Sequence, residues 1–256
     1  IIGLENIEEL CLDLENKIND NINPKPDFKF IKDNKKNIIT LIVKEGLNKP
    51  YLYKGKAYKR NDTSSTVEVD KVELNRLTLL GLNQYYEELK ARKQDLEFKV
   101  LKKELEEKLS LKNFSKDVLK TLNLYDDKNG YNNAAELFAD KNSFSGIDIA
   151  KFGKNIDEIL DRNLFVNISI ISQYQKSLEV FSRYYKYEQI SGSERIEKEL
   201  IPEKAFREAI ANALIHRTWD VNSNIRISMH EDRIEVSSPG GLPVGISKKE
   251  YLYGQI

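Results

Sequence analysis

Cysteine and histidine are almost absent from this chain of 256 residues, which contains one cysteine and two histidines. A single cysteine excludes an internal disulfide framework and is typical of a reducing compartment, so the sequence predicts a cytoplasmic protein. Three such side chains are also too few for a structural zinc site, which takes four ligands from cysteine and histidine. Cys11 lies on an apolar helical stripe, where we expect it to be a small core residue.

Long apolar runs are also missing. None approaches the ~20 residues that a membrane-spanning helix needs, and the first residues lack the layout of a signal peptide, so we expect no membrane partner. Basic and acidic residues are equal at 41 each, which means that any argument for nucleic acid depends on local charge. The chain begins without Met and stops just after a turn-rich stretch. We therefore expect a fragment of a longer protein, truncated at both ends.

One segment is strongly basic. From Lys29 to Arg60 there are ten Lys or Arg residues against two acidic ones. Tyrosine-containing strand residues flank Lys54-Gly55-Lys56, which predicts a hairpin over 51–60. Such a hairpin can attract phosphates and stack on bases, whereas the alternative is that tyrosine favours strands and lysine protects an exposed edge. The candidate nucleic-acid contacts are Lys54, Lys56, Tyr58, Lys59 and Arg60.

Apolar spacing predicts the main elements. Recurrence at three and four residues predicts helices over 4–20, 69–80, 83–110 and 163–185. A β-branched run predicts a buried strand over 37–43. Alternation predicts strands over 146–152, 224–229 and 233–237. Because Lys and Glu are interspersed in 83–110, that helix is expected to be a solvated connector.

The stretch after Pro202 predicts an amphipathic helix, with Phe206 and Ile210 on its apolar stripe. On another side of this helix three polar residues are spaced four apart, and these are Glu208, Asn212 and His216. A carboxylate and an amide one turn apart can line a pocket for a metal-bound phosphate. The simpler interpretation is that these residues form the solvated face of the helix.

Two adjacent glycines, Gly240 and Gly241, follow the last predicted strand. They permit close backbone approach, so their N–H groups could be exposed to a phosphate or a base. The alternative is an ordinary loop.

Residues 49–66 resemble the second half of the Schlafen-type AlbA-like domain. The resemblance is carried by Lys49-Pro50-Tyr51, Lys54-Gly55-Lys56-Ala57-Tyr58-Lys59-Arg60 and Ser64-Ser65-Thr66. In that family a strand that ends in a Pro-aromatic pair precedes an aromatic-x-Arg, a Ser/Thr-rich turn and a helix. The resemblance implies a small α/β domain that binds DNA or RNA. The early Glu-x-Lys-type signature of the family has no counterpart in this chain.

The order of later motifs resembles the RecG-related transcriptional regulators, which carry a Schlafen-type AlbA-like domain followed by a divergent GHKL ATPase-like domain. The motifs are Asn133-Ala134-Ala135, Phe206 to Arg217, Asp232 to Val236 and Pro239-Gly240-Gly241-Leu242-Pro243. The resemblance implies an α/β (α+β) fold in three parts. These are half of the AlbA-like domain over 1–80, a helical connector over 81–125, and a RecG-related domain over 126–256. The last part would contain an incomplete GHKL-like sandwich from about residue 202.

In GHKL ATPases the helix pattern Glu-x-x-x-Asn forms part of the nucleotide site. The resemblance therefore implies Glu208 as general base, Asn212 as the ligand of Mg²⁺, and ATP with Mg²⁺ as cofactors. It places His216, Gly240 and Gly241 at the nucleotide. Ser237 stands where the superfamily has its adenine-binding aspartate, which implies a degenerate or variant site.

These observations predict a cytoplasmic, bacterial-type, DNA-binding transcriptional regulator with a degenerate GHKL-like module, with RNA as the alternative nucleic acid. Two other functions stay open: an active Mg²⁺-dependent ATPase, and a Schlafen-like nuclease whose catalytic residues lie upstream. Homo-oligomerisation is a further expectation that the sequence leaves open. Helicase activity is not expected, because the sequence contains no Gly-x-x-x-x-Gly-Lys-Ser/Thr phosphate loop.

Overall fold

The structure, a computed structural model, describes residues 6–60, 65–191 and 194–241. The chain divides into two compact units, Ile1–Tyr85 and Tyr86–Ile256, which we call unit 1 and unit 2. Both units combine helices with mainly antiparallel strands, which confirms the predicted α+β class. None of the helices in these ranges is long and apolar enough to cross a membrane.

Unit 1 consists of two helices and short paired strands. In order they are α1 (Ile7–Asn21), β1 (Ile22–Asn23), β2 (Phe28–Asp33), β3 (Ile38–Val43), β4 (Leu52–Tyr53), β5 (Tyr58–Arg60), β6 (Thr66–Glu68) and α2 (Lys71–Gly81). The strands form three separate antiparallel pairs, β1–β4, β2–β3 and β5–β6. Side-chain caps begin both helices, since Asn6 accepts from Glu9 N and Asp70 accepts from Glu73 N. Both helices form where the apolar spacing predicts them.

Strand β3 forms where expected, but its predicted burial is wrong. Leu41 and Ile42 are each 43% exposed and Val43 is 57% exposed. The strand pairs with β2 in a two-stranded sheet. A pair of strands buries its apolar faces only when a second layer of structure packs over it. The residues of a strand do not show whether such a layer is present, so burial could not be predicted from this run alone.

The predicted hairpin over 51–60 is confirmed at its turn. Tyr53 and Lys56 form an antiparallel bridge with two backbone hydrogen bonds of 2.9 and 3.1 Å. Lys54 has φ 49° and Gly55 has φ 79°, which is the geometry that tight hairpin turns require. Beyond this bridge the expected pairing is wrong, because β4 pairs with β1 and β5 pairs with β6.

Unit 2 begins with a 3₁₀ turn over Tyr86–Glu88. Its elements are α3 (Lys99–Leu109), α4 (Lys116–Thr121), β7 (Tyr125–Asp126), β8 (Gly130–Tyr131), α5 (Asn133–Phe138), β9 (Ile147–Phe152), β10 (Ile159–Phe165), α6 (Ile170–Tyr185), β11 (Lys186–Ser191), β12 (Glu194–Glu199), α7 (Glu203–Ile215), β13 (Ile225–Met229) and β14 (Ile234–Ser237). The strands predicted over 146–152, 224–229 and 233–237 are therefore confirmed.

A four-stranded sheet with the order β10-β9-β13-β14 is the centre of unit 2. Strands β9 and β13 run parallel, and the two outer pairs are antiparallel. Alternate residues of β9 and β13 are buried, with Ile147 opposite Ile225 and Ile149 opposite Ile227. These residues share one hydrophobic cluster with the apolar stripes of α6 and α7.

The predicted helix over 83–110 is wrong in its first half. Helix α3 forms, but the residues before it follow the chain at 131–133 instead. There, Ala91 N donates to Tyr131 O and Asn133 N donates to Leu89 O, both at 2.9 Å. These tertiary hydrogen bonds override the local helix propensity. Leu101 of α3 is buried in a cluster with residues from 119 to 139, so the segment 86–125, expected as a connector, packs within unit 2.

The helix predicted over 163–185 is also wrong in its first residues. Strand β10 extends to Phe165, and α6 begins only after Ser169, whose side chain accepts from Ile171 N. The strand is fixed by its pairing with β9 and by the two hydrogen bonds between Arg162 and Asp148, of 3.0 and 2.7 Å. The hairpin β11–β12 was not expected from the sequence.

Candidate functional sites

The five predicted nucleic-acid contacts lie together on residues 53–60 of unit 1, which we call the hairpin surface. All five side chains are exposed. Tyr58 packs edge to face against Tyr53, with ring centroids 6.4 Å apart, and the two side chains are 44% and 45% exposed. Tyr53 is absent from the predicted set, although the alternation Tyr51-Leu52-Tyr53 was the signal that could have found it. The hairpin surface therefore presents two rings next to four basic side chains.

Two of these basic side chains already have acidic partners. Lys56 lies 2.7 Å from Glu68 and Lys59 lies 2.5 Å from Glu73. The hydrogen bond that Lys56 Nζ donates to Glu68 Oε2 raises the pKa of Lys56. The Lys54 ammonium lies 5.5 Å from the centre of the Tyr53 ring. Exposed ion pairs of this kind are worth about 0–1 kcal/mol, so a phosphate can compete for these lysines at little cost.

In unit 2, helix α7 buries the apolar stripe that the sequence predicts and exposes the polar residues. Phe206 and Ile210 are in the core, whereas Glu208, Asn212 and His216 are exposed. His216 ends the helix, and its N–H donates to Asn212 O at 2.9 Å. The alternative interpretation of a solvated face thus describes the environment of these three residues in the described chain.

The glycine pair lies at the C-terminal end of α7. Ser238 Oγ donates to Ala213 O at 3.0 Å, and Thr218 N donates to Pro239 O at 2.9 Å. A Cβ at Gly240 would lie 3.1 Å from Thr218 Oγ1, whereas a Cβ at Gly241 would meet nothing within 4 Å. Gly240 is therefore next to the end of the helix that carries His216. Glu208 is about 12 Å further back along the axis, since a helix rises ~1.5 Å per residue.

The donor set on α7 is compatible with the implied cofactor only in part. Asn212 and Glu208 provide one amide and one carboxylate, which suits Mg²⁺ when phosphates and water supply its other ligands. Within 6–60, 65–191 and 194–241 there is no group of three or more His, Cys, Asp or Glu that could hold a metal ion by itself. Ser237 is exposed and has a hydroxyl where adenine recognition would need a carboxylate.

A cavity of about 500 Å³ lies elsewhere in unit 2. Three aromatic rings line it in a chain of edge-to-face contacts, with centroid distances of 6.5 Å from Tyr86 to Phe144 and 5.8 Å from Phe144 to Trp219. The lining also contains charged residues of both signs, and these are Lys90, Arg92, Glu136 and Asp220.

Two buried charged residues near this cavity were missed by the sequence analysis. Glu136 is 2% exposed and its Oε1 accepts from Ser143 N at 3.1 Å and from Ser143 Oγ at 2.6 Å. Arg217 is 3% exposed, and burial lowers its pKa. The available signals were an acid inside the apolar run Ala-Ala-Glu-Leu-Phe, and the single tryptophan, Trp219, close to an arginine.

Arg217 organises the wall of this cavity without lining it. Its Nη2 donates to Ser145 Oγ at 2.9 Å and to the carbonyl oxygens of Ser223 and Val221 at 2.7 and 3.2 Å. Its guanidinium carbon lies 4.2 Å from the centre of the Trp219 ring. Nε and Nη1 have no hydrogen-bond partner among the described residues.

No family model matches the chain, and no curated protein matches it. The fold is similar to the crystal structure of the DIP2311 protein from Corynebacterium diphtheriae, with a TM-score of 0.56 and 19% sequence identity. The similarity covers 98% of this chain and 52% of that protein, so the chain spans about half of its length. At this identity the two proteins share a fold.

Proposed function

We propose that this chain belongs to a DNA-binding transcriptional regulator and that the hairpin surface of unit 1 contacts the nucleic acid. The observation that carries this proposal is the pair of exposed tyrosine rings, Tyr53 and Tyr58, beside four exposed basic side chains within residues 53–60.

The side chains of this surface are suited to a nucleic-acid strand whose bases are accessible. Lysine and arginine attract the phosphates, and a base that stacks on an aromatic side chain gains ~1–3 kcal/mol regardless of sequence. The ion pairs of Lys56 and Lys59 are exposed, so exchanging a carboxylate for a phosphate costs little. Single-stranded DNA, including a locally opened duplex, is therefore the expected substrate form, with RNA as the alternative.

Fluorescence anisotropy with a labelled 20-nucleotide single strand and the matching duplex tests the proposal on the full chain. We expect the affinity to fall as salt rises, because phosphate contacts release counterions. Replacing Lys54 and Arg60 together by alanine should reduce the salt slope by about 1.4 for single strands, at ~0.7 for each phosphate that is no longer neutralised. Tyr58→Ala should weaken single-strand binding by ~5- to 150-fold and leave the slope unchanged.

Lys112→Ala is the matched control, because Lys112 is an exposed lysine of unit 2 outside the hairpin surface. It should leave both affinity and slope unchanged. Absent or salt-insensitive binding would overturn the proposal, as would an equal effect of Lys112→Ala.

A second candidate function is nucleotide binding by unit 2, in the degenerate GHKL-like form. It is supported by the contact between Ser238 and Ala213, which brings Gly240 to the end of the helix that carries Asn212. Calorimetry with ATP and Mg²⁺ tests binding, and Asn212→Ala should abolish it if Asn212 ligates the metal. Glu208→Gln separates binding from hydrolysis, since unchanged ATP turnover in this variant would remove Glu208 as the general base.

A further inference from the structure

We infer that the cavity between Tyr86 and Trp219 in unit 2 binds a small amphoteric molecule of the amino-acid type, with its cationic group held by Glu136. This site is separate in the sequence from the hairpin surface and from the polar face of α7, and the inference does not depend on the function proposed above.

The dimensions are those of a small-molecule site. Ligand pockets typically measure about 300–1,000 Å³, and they combine apolar and aromatic walls with a few polar groups. A cavity of about 500 Å³ with three aromatic rings and several charged or amide side chains has this composition.

The carboxylate of Glu136 indicates which chemical group a ligand of this cavity would carry. A buried carboxylate is costly unless it is paired, because burial removes its hydration. The two donors from Ser143 both bind Oε1. Among the described residues no lysine or arginine forms an ion pair with Glu136, and Oε2, which no described donor reaches, is not a buried atom without a partner but is open to the cavity. An incoming ammonium or guanidinium group would supply the missing partner.

The aromatic walls favour the same chemistry. A cation within about 6 Å of a Trp or Tyr ring is attracted to its face, most strongly when it is desolvated. Trp219 is itself buried and already holds the guanidinium of Arg217, which shows how this ring accepts a cation. Burial raises the pKa of Tyr86, the positive charge of Arg92 opposes this shift, and the negative charges of Asp220 and Glu136 add to it, so charged groups of both signs are close to this ring.

The mouth of the cavity carries the opposite charge. Lys90 and Arg92 line it with exposed side chains, whereas Glu136 is almost fully buried. A ligand that enters with its cation toward Glu136 therefore leaves its other end near two basic groups. A carboxylate at that end matches them, and this charge order selects an amphoteric molecule over a simple amine.

Trp219 is the chain's single tryptophan, so its fluorescence reports directly on this cavity. L-arginine and agmatine are suitable probes, because agmatine is the same molecule without its carboxylate. We expect saturable fluorescence changes with both, and an affinity for L-arginine that is higher by about tenfold. A charge-assisted hydrogen bond contributes at least the ~1.4 kcal/mol that corresponds to a tenfold change in affinity.

Three variants complete the experiment. Glu136→Gln keeps the size of the side chain and should weaken both probes by about tenfold or more, because the ion pair can no longer form. Arg92→Gln, at the exposed mouth, should weaken L-arginine to the level of agmatine and leave agmatine unchanged. Glu179→Gln, an exposed residue of α6 that does not line the cavity, should change neither affinity.

The inference is overturned if neither probe gives a saturable change, or if Glu136→Gln binds both probes as the unsubstituted chain does. Equal affinities for L-arginine and agmatine would overturn the amphoteric assignment. If thermal melting shows that Glu136→Gln does not fold, Arg92→Gln decides, because its side chain is exposed and its selective effect on L-arginine needs an occupied cavity. Loss of nucleic-acid binding would leave these outcomes unaffected.

Discussion

In unit 2, alternate residues of β9 and β13 are buried together with one stripe each of α6 and α7, whereas in unit 1 the apolar strand β3 keeps Leu41, Ile42 and Val43 largely exposed. The buried apolar residues in the described part of unit 1 are Ile7, Cys11, Ala57 and Val69. Both hydrophobic clusters consist of residues from unit 2.

The difference follows from the number of layers. A four-stranded sheet with two helices on one face can exclude water from a continuous core, whereas separate pairs of strands cannot. The elements of unit 1 are defined by caps, a tight turn and strand pairing, and its side chains stay available at the surface. Unit 2 can instead hold charged groups such as Glu136 and Arg217 in fixed, buried positions, because the surrounding core determines where they lie.

The largest expected effect separates two isoleucines in strands of the two units. Ile227 in β13 is 1% exposed, between Ile149 of β9 and Val236 of β14, while Ile42 in β3 is 43% exposed. Ile227→Ala should lower the free energy of unfolding of unit 2 by about 2–5 kcal/mol, through reduced burial and a cavity. Ile42→Ala should cost less than about 1 kcal/mol, because its side chain is already partly hydrated.

Hydrogen exchange followed by mass spectrometry measures both variants in the same way, from peptides that cover each strand. Urea unfolding monitored by Trp219 fluorescence gives an independent value for unit 2. Similar losses of exchange protection in the two variants would contradict this difference between the units, since they would mean that β3 is as closely packed as β13.

Two glycines, one in each unit, provide a second comparison with a smaller expected effect on stability. A Cβ at Gly146 would collide with Phe165 O, and a Cβ at Gly81 would collide with Lys49 O. Gly146 cannot shift easily, because its N–H donates to Asn224 Oδ1 at 3.0 Å and its carbonyl accepts from Ile225 N at 2.8 Å. Gly81 is the last residue of α2, a helix without a buried residue, so that helix can move.

We therefore expect Gly146→Ala to destabilise unit 2 by about 1–3 kcal/mol. Gly81→Ala should cost unit 1 less than Gly146→Ala costs unit 2, because the gain of up to ~1 kcal/mol in helix propensity offsets part of the displacement that the contact with Lys49 O forces. The same exchange measurement checks both variants. A larger loss of exchange protection in Gly81→Ala than in Gly146→Ala would show that the loop at Lys49 and the end of α2 are rigidly packed.

The sequence predicted elements wherever local pattern and tertiary structure agree. Helix α7 and the strands β13 and β14 follow from apolar spacing alone, because their buried faces match the period of their own element. Local pattern failed at 89–98, where hydrogen bonds to residues 131–133 decide the conformation, and at β10, where pairing with β9 does. In each case the deciding partner is a separate segment of the chain, which is residues 131–133 for 89–98 and the preceding strand β9 for β10.

The candidate sites show the same limit. Charge and aromatic content predicted the hairpin surface, since its residues are contiguous. The cavity was not predictable, because it combines residues near 86, 136, 144 and 219 that only the fold brings together. The local signs of it were an acid in an apolar run and a tryptophan close to an arginine, and Glu136 could equally have been an exposed helix residue.

The smallest expected effect concerns a buried hydroxyl of unit 2. Tyr185 is 1% exposed and its hydroxyl donates to His230 O at 2.5 Å. Lys151 Nζ donates to the same carbonyl at 3.0 Å, so this acceptor keeps a partner when the hydroxyl is removed. Tyr185→Phe should therefore cost only about 1 kcal/mol at neutral pH, as expected for one hydrogen bond.

The pH dependence of stability tests the burial of this hydroxyl. Burial raises the pKa of Tyr185 from 10 to about 12. Because the folded state holds the proton more tightly, the stabilisation is complete below pH 10 and is lost as the pH rises from 10 to 12. The advantage of the unsubstituted chain over Tyr185→Phe should shrink across that range in urea titrations monitored by Trp219 fluorescence. Tyr187→Phe, which removes an exposed hydroxyl of β11, is the control for the loss of a hydroxyl and should have a stability close to that of the unsubstituted chain at neutral pH. A constant difference in the free energy of unfolding up to pH 12 would contradict the raised pKa. It would mean that the folded protein tolerates an ionised Tyr185 and that water reaches this part of unit 2.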